Sequence, residues 1–148
     1  INSLRNRQKC DLFAIFNKEN KIHLGNLSIT SFDKNGDGSI EFGLMIGDEK
    51  SRLSGVGAEI HLIFLEFCFS FNEIHRVECS AASENQLACK TLESIGYVRE
   101  GARRNKFPLR NSRHCDLVYY GILRKEWNIR KKKLSKIIEK LEFFLFDK

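Results

Sequence analysis

The sequence has a single proline among its 148 residues, and no apolar run approaches the ~18–20 residues needed to cross a bilayer. No membrane association is expected. With ten glycines, 42% hydrophobic and 30% charged residues, the composition is not that of a disordered chain and predicts a soluble globular one. The first residues, Ile1-Asn2-Ser3-Leu4-Arg5-Asn6, contain neither an apolar h-region nor a cleavage site, so export is not expected. Cysteines are odd in number and scattered (Cys10, Cys68, Cys79, Cys89, Cys115), and none forms a Cys-x-x-Cys pair. The four histidines (His23, His61, His75, His114) show no i, i+4 spacing. These absences argue against a disulfide framework and a zinc site, and no metal is expected. The thiols read as reduced groups in the core of a cytoplasmic protein.

What is present suits one domain with a single core. The net charge of +6 is unevenly placed: residues 128–148 hold seven Lys/Arg against three Asp/Glu, and residues 1–127 hold eighteen against sixteen. The basic character thus belongs mainly to a tail. A nucleic-acid-binding protein would spread its charge over a folded face, so no nucleic-acid partner is expected, although Arg130-Lys131-Lys132-Lys133 keeps that class open.

Residues 11–16 and 22–32 read as strands, the second with clear alternation, and Asn17–Lys21 as the turn between them. After a turn-rich stretch, Ser39–Ile46 resumes as a strand and Gly47–Ser54 reads as a polar loop. Gly55 to about Phe71 is apolar on more than one face, the pattern of a helix buried against a sheet. Arg76–Ala82 reads as a strand and Asn85–Ile95 as a helix stopped by Gly96. Tyr97–Gly101 and Cys115–Leu123 read as strands around a basic loop, and an amphipathic helix is predicted from Asn128. The order β-β-β-α-β-α-β-β-α predicts a layered α/β (α+β) domain over residues 1–127 with a basic C-terminal helix over 128–148.

Asp33-x-Asn35-x-Asp37-Gly38-x-Ile40 matches the opening of an EF-hand calcium loop. That loop needs a bidentate carboxylate at its twelfth position and a helix on each side. Here the twelfth residue is Leu44 and the flanks alternate like strands, so a hairpin turn is predicted instead.

A strand followed by Arg52-Leu53-Ser54-Gly55-Val56-Gly57-Ala58 and a helix is a candidate pyrophosphate cradle. Glycine lets backbone amides approach a ligand, and a helix N-terminus carries roughly half a positive charge. Further blocks follow in order: His75-Arg76-Val77-Glu78, Asn85-x-x-Ala88, Gly96-Tyr97-x-x-Glu100-Gly101, then Asp116 and Tyr120 to Trp127. Together these resemble the Gcn5-related N-acetyltransferase (GNAT) family, whose signature is Arg/Gln-x-x-Gly-x-Gly/Ala at the start of its central helix. The likeness spans about residues 11–127 and is strongest to the branch holding ribosomal-protein N-terminal and amino-sugar acetyltransferases.

The resemblance implies a mixed, mostly antiparallel sheet flanked by helices, with acetyl-CoA as cosubstrate. It implies that Leu44, Met45 and Ile46 meet pantetheine through their backbone, that Arg52 to Ala58 hold the pyrophosphate, and that Asn85 touches the pantetheine arm. An amine would attack the acetyl carbonyl directly, with backbone amides steadying the oxyanion. Because a free alkyl ammonium has a pKa near ~10, a base is needed; Glu41 is the first candidate, with Glu78 and Glu100 in reserve. Cys79 and Cys89 read as core thiols.

The chain departs from the family twice. The usual thiolate-protonating Tyr is Leu92 here, and an alternative Ser is Ala88; Tyr97, Tyr119, Tyr120 or solvent are the substitutes. Members usually open with a strand and helices ahead of the segment equivalent to Asp11–Phe16, where this chain has ten residues. A fragment, a more open acceptor site, or a second subunit completing it are the readings. The cations Arg99, Arg103, Arg104, Lys106, Arg110 and Arg113 suit a phosphorylated amine acceptor such as an amino-sugar nucleotide, with a protein N-terminus the alternative. A non-catalytic acyl-CoA-binding module is the competing class. The apolar stripe from Leu134 to Phe146 predicts a homodimer, since such a stripe is seldom left in water.

Overall fold

The computed structural model describes residues 11–32, 36–47 and 49–138. Its six strands are β1 (Asp11–Phe16), β2 (His23–Phe32), β3 (Ser39–Ile46), β4 (Arg76–Ala82), β5 (Val98–Pro108) and β6 (His114–Leu123). They form one sheet in the order β1-β2-β3-β4-β6-β5. Neighbours run antiparallel except β3 and β4, which are parallel. The helices are α1 (Glu49–Leu53), α2 (Val56–Phe69), α3 (Gln86–Ile95) and α4 (Arg124–Ile138). This is the layered α/β domain that the element order predicts, with the mixed, mostly antiparallel sheet and flanking helices that the resemblance implies.

Alternation decides which way each strand faces. Ile40 and Phe42 of β3, Val77 and Cys79 of β4, and Val118, Tyr120 and Ile122 of β6 are buried. They share one cluster with Ile60, Phe64, Leu65 and Cys68 of α2, and each such aliphatic or aromatic side chain contributes roughly 1.5–3 kcal/mol by leaving water. Helix α2 also contacts α3 and α4, which accounts for its apolar residues lying on more than one face. Glu41, Glu78 and Tyr119 alternate with the core residues and so belong to the opposite face of the sheet.

Three segments differ from expectation. Gly47–Ser54 is not all loop, because α1 occupies Glu49–Leu53; five mostly polar residues are too few to show a helical period. The basic segment after Gly101 is strand rather than loop: β5 runs to Pro108, and only Leu109–Arg113 turns, closed by the Leu109 amide donating to the Arg113 carbonyl (2.8 Å). Every residue of β5 is exposed, and an edge strand wet on both faces needs no apolar alternation to declare it.

The terminal helix begins at Arg124, earlier than its apolar spacing predicts. Its start is set by polar ties. The Glu126 carboxylate accepts from the Leu123 amide (2.9 Å), and Arg124 donates to the carbonyls of Phe69 (2.7 Å) and Ile74 (2.9 Å). Trp127 is 1% exposed and donates its indole N–H to Glu66 (2.9 Å), which seats the first turn of α4 in the core. The residues that opened the calcium-like turn, Asp33 and Asn35, lie outside the described residues, as do residues 139–146 of the Leu134–Phe146 stripe on which the homodimer expectation rests, while Leu134 at its start packs on the core. In the described part of that turn, the Asp37 carboxylate accepts from the Ser39 amide (3.0 Å) and hydroxyl (2.7 Å), an Asx turn leading into β3. No helix among the described residues is long and apolar enough to cross a membrane.

Candidate active site

The parallel pair β3–β4 is joined over only three positions, Ser39 with Arg76, Ile40 with Val77 and Glu41 with Glu78. Beyond that rung both strands continue, β3 to Ile46 and β4 to Ala82, without pairing to each other. The sheet therefore opens as a fork. A cavity of about 490 Å³ occupies the gap, a size suited to a small ligand. Its walls come from Leu44, Met45 and Ile46 on one prong and Cys79, Ser80 and Ala81 on the other. Helices α1, α2 and α3 close it, with Arg52, Gly57 and His61 on one side and Asn85, Leu87, Ala88, Thr91 and Leu92 on the other.

The mouth is built to receive an anion. Gly55 ends the turn before α2 with φ 90°, a left-handed conformation that glycine adopts without a side-chain clash. The first helical bond is that of the Glu59 amide to the Gly55 carbonyl (3.1 Å), and no side chain caps the end. The amides of Val56, Gly57 and Ala58 are thus without helical partners at the positive end of the helix dipole. A Cβ on Gly57 would meet nothing within 4 Å, so the space beside that backbone is open.

Of the residues named from the sequence for the cofactor, Leu44, Met45, Ile46, Arg52, Gly57 and Asn85 border the cavity. The others do not line it. Leu53 is 79% exposed, the Ser54 hydroxyl donates to the Ser51 carbonyl (2.9 Å), and Val56 and Ala58 pack their side chains on the core. Two lining residues also serve the fold. Arg52 donates through Nε to the Ile46 carbonyl (2.9 Å) and through Nη2 to the Gly47 carbonyl (3.0 Å), bracing the loop that leaves β3. Asn85 caps α3, its Oδ1 accepting from the Ala88 amide (3.1 Å), which leaves its Nδ2 free of that duty.

Glu41 does not line the cavity. It stands at the last rung, opposite Glu78. Glu78 and Glu100 are engaged: Arg76 donates to Glu100 Oε1 (2.9 Å) and to Glu78 Oε2 (3.1 Å). These bonds hold the Glu100 carboxyl below its ordinary pKa and push the Arg76 guanidinium above its own. Gly121 makes room for the pair, since a Cβ there would lie 2.6 Å from Arg76 Nη2 and 2.8 Å from Glu100 Oε1. Among the described residues, the Glu41 side chain has no such partner. Burial pushes the Cys79 thiol up, so it stays protonated and a poor nucleophile. Leu92 and Ala88, where proton donors are usual in the resembled family, both border the cavity as apolar groups.

Three polar cavity residues were passed over by sequence reasoning, His61, Ser80 and Thr91, and His61 is the ionisable one. It sits one turn beyond Gly57, and that i, i+4 spacing from the cradle glycine was the available signal. Burial without a charged partner lowers its pKa to about 4. The groups around it are the Phe42 ring of β3, the Tyr97 hydroxyl and, across the cavity, the Cys79 thiol with Glu41 and Glu78 behind it. The folded ring binds its proton less well than the unfolded ring. Stability from this residue is therefore full above pH 6.5 and lost as pH falls toward 4. Urea titrations at pH 7 and pH 5 are expected to differ by about 2 kcal/mol from this group, and His61→Leu should remove that step. An equal loss in both proteins would show that the ring does not carry it.

The acetyltransferase (GNAT) domain family matches residues 1–98. A Bacillus subtilis (strain 168) protein, YdaF, provisionally named as a ribosomal N-acetyltransferase, is 36% identical over 63 residues, which are 43% of this chain and 34% of that protein. The chain thus matches about a third of the length of that curated relative. A GCN5-related N-acetyltransferase from Brucella melitensis superposes with a TM-score of 0.75 at 22% identity, covering 97% of this chain and 64% of the other. Mutant forms of the spermidine/spermine N-acetyltransferase SpeG from Vibrio cholerae superpose at 0.72 with 22% identity, covering 87% and 75%. At that identity the two structures speak for the fold.

Proposed function

This chain belongs to the acetyltransferase (GNAT) family, and on that premise we propose that it is an N-acetyltransferase that moves the acetyl group of acetyl-CoA to a primary amine by direct attack. The observation that carries the reading is the fork, an open seam between two strands with an uncapped helix end at its mouth. The residues present suit such a cosubstrate. The amides of Val56 to Ala58 would hold the pyrophosphate, the unpaired edge from Leu44 to Ile46 would bond pantetheine, and Asn85 Nδ2 would reach its arm. Acetyl-CoA supplies an activated acyl group with a thiol leaving group.

Glu41 is assigned as the base that takes the proton from the amine, directly or through a water. It stands where the two strands part, and it is the carboxylate of the apex group without an Arg76 bond. A phosphorylated acceptor, such as an amino-sugar nucleotide, is supported by the exposed cations of the β5–β6 hairpin, among them Arg99, Arg104 and Lys106. A protein N-terminus is the second reading, favoured by the likeness to YdaF.

Thiol release from acetyl-CoA, measured against amino-sugar nucleotides, peptides with free N-termini and polyamines, tests the proposal. At least one amine is expected to accelerate release and to be acetylated. Acetyl-CoA binding with no amine-dependent release would leave an acyl-CoA-binding module and remove the enzyme.

A further inference from the structure

The family's usual thiolate-protonating positions hold Leu92 and Ala88, and both line the cavity, so another polar group at the apex has an opening to serve the leaving sulfur. The depth of each wall can be read from the fork. Arg52 and Gly57 stand at the mouth, where the loop from β3 meets the start of α2. Phe42 and Cys79 are the first residues past the last paired rung, Glu41 with Glu78. The His61 ring packs on Phe42, centroids 5.1 Å apart, and the side chain borders the cavity. It therefore lies at the apex, one helical turn of about 5.4 Å inward from Gly57 along α2.

The ring is 8% exposed, and among the described residues no other His, Asp, Glu, Lys or Arg side chain is buried. Its Nδ1 lies 3.4 Å from the Tyr97 hydroxyl. Tyr97 is itself buried, and its hydroxyl is held protonated. With the phenol as donor to Nδ1, the neutral ring carries its proton on Nε2. Nε2 has no protein partner among the described residues, and a buried donor left unpaired is destabilising. The ring is otherwise packed against aromatic faces, so the cavity is where that donor can be satisfied.

We infer that His61 is a catalytic residue, a neutral hydrogen-bond donor at the fork apex whose Nε2–H receives the thiol sulfur of the acyl donor. This rests on the acetyl-CoA reading above. In the transfer, the amine nitrogen forms its bond to the acetyl carbon, and the carbon–sulfur bond breaks with its electron pair on sulfur. The proton shed by the amine goes to Glu41 or its water. The imidazole keeps its proton and solvates the sulfur, which is protonated from solvent on release. A ring that stays neutral suits this task, because it donates without having to lose a proton. Tyr97 acts through His61 as a positioning residue.

The test uses CoA itself as probe. Thiolate absorbance of protein-bound CoA is followed against pH in the unaltered protein, His61→Leu and His61→Gln. The bound thiol is expected to titrate about one unit or more below free CoA in the unaltered protein. It should return toward the free value in His61→Leu and lie between them in His61→Gln, which keeps a donor. Acetyl transfer should fall roughly 10²-fold in His61→Leu, the scale of one lost donor to a developing anion. If a variant does not fold, the nitrogen-15 signals of His61 in the unaltered protein decide: they should show the Nε2–H tautomer and move on adding CoA. Bound CoA that titrates like free CoA, or His61 signals that CoA leaves unmoved, would overturn the inference while leaving the parent reading intact. Failure of the unaltered protein to bind CoA would overturn both.

Discussion

Gly57→Glu is expected to abolish acetyl-CoA binding and to leave the fold in place. Gly57 lies in the first turn of α2 with no left-handed backbone, and a Cβ there meets nothing within 4 Å. The substituted side chain therefore enters open space at the cavity mouth without displacing the core. Its carboxylate would stand at the uncapped amides of Val56 to Ala58, where the pyrophosphate is assigned. At about 4 Å and an effective dielectric near 20, one pair of like charges costs about 4 kcal/mol, which is close to three decades of affinity. Calorimetry would show the loss, and circular dichroism the retained fold. Unchanged affinity in a folded variant would remove the cradle from the helix end.

Glu41→Gln is expected to lower kcat by roughly 10²–10⁴, with a much smaller effect on acetyl-CoA affinity. The sign of the pH dependence follows from the amine. Below the amine's pKa of about 10 the acceptor is protonated and needs a base, and near that value it sheds its proton unaided. The deficit of the variant should thus shrink as pH rises. The amide keeps the shape of the carboxylate at the last rung, so a packing defect is not the expected source of any loss. A deficit that stays constant with pH would move the role to a water chain or to a carboxylate freed from Arg76.

The elements most legible in the sequence were those whose burial alternates or repeats. Ser39–Ile46 and Arg76–Ala82 were legible to the residue because Ile40, Phe42, Val77 and Cys79 face the core while Glu41 and Glu78 face away. The far half of β5 was not, since an edge strand of exposed cations carries no period, and the start of α4 was not, since Arg124 and Glu126 enter it through hydrogen bonds to backbone. At the site, the glycine turn was visible as spacing. What spacing could not convey is that Arg52 braces the end of β3 and that Asn85 caps α3. The fork itself was invisible, because two strands that part after three pairs have the same residue pattern as two that stay together. His61 looked like one more residue of an apolar helix, and only its place against Phe42 and Tyr97 gives it a use.

The brevity of the β3–β4 contact has a mechanical meaning. The strand pairing that ties β1, β2 and β3 to β4, β6 and β5 is confined to the seam from Ser39–Arg76 to Glu41–Glu78, with the His75 and Arg76 amides donating to the Gly38 carbonyl at its start. The sheet is in effect two three-stranded leaves sewn by one short stitch, with α2 laid across the back as the splint. Opening the leaves slightly at their free end would break no backbone bond between them, whereas closing them over an extended polar molecule would lengthen the stitch. A ligand bonded to both prongs would act as a strand of foreign backbone, and the two leaves would then move as one sheet.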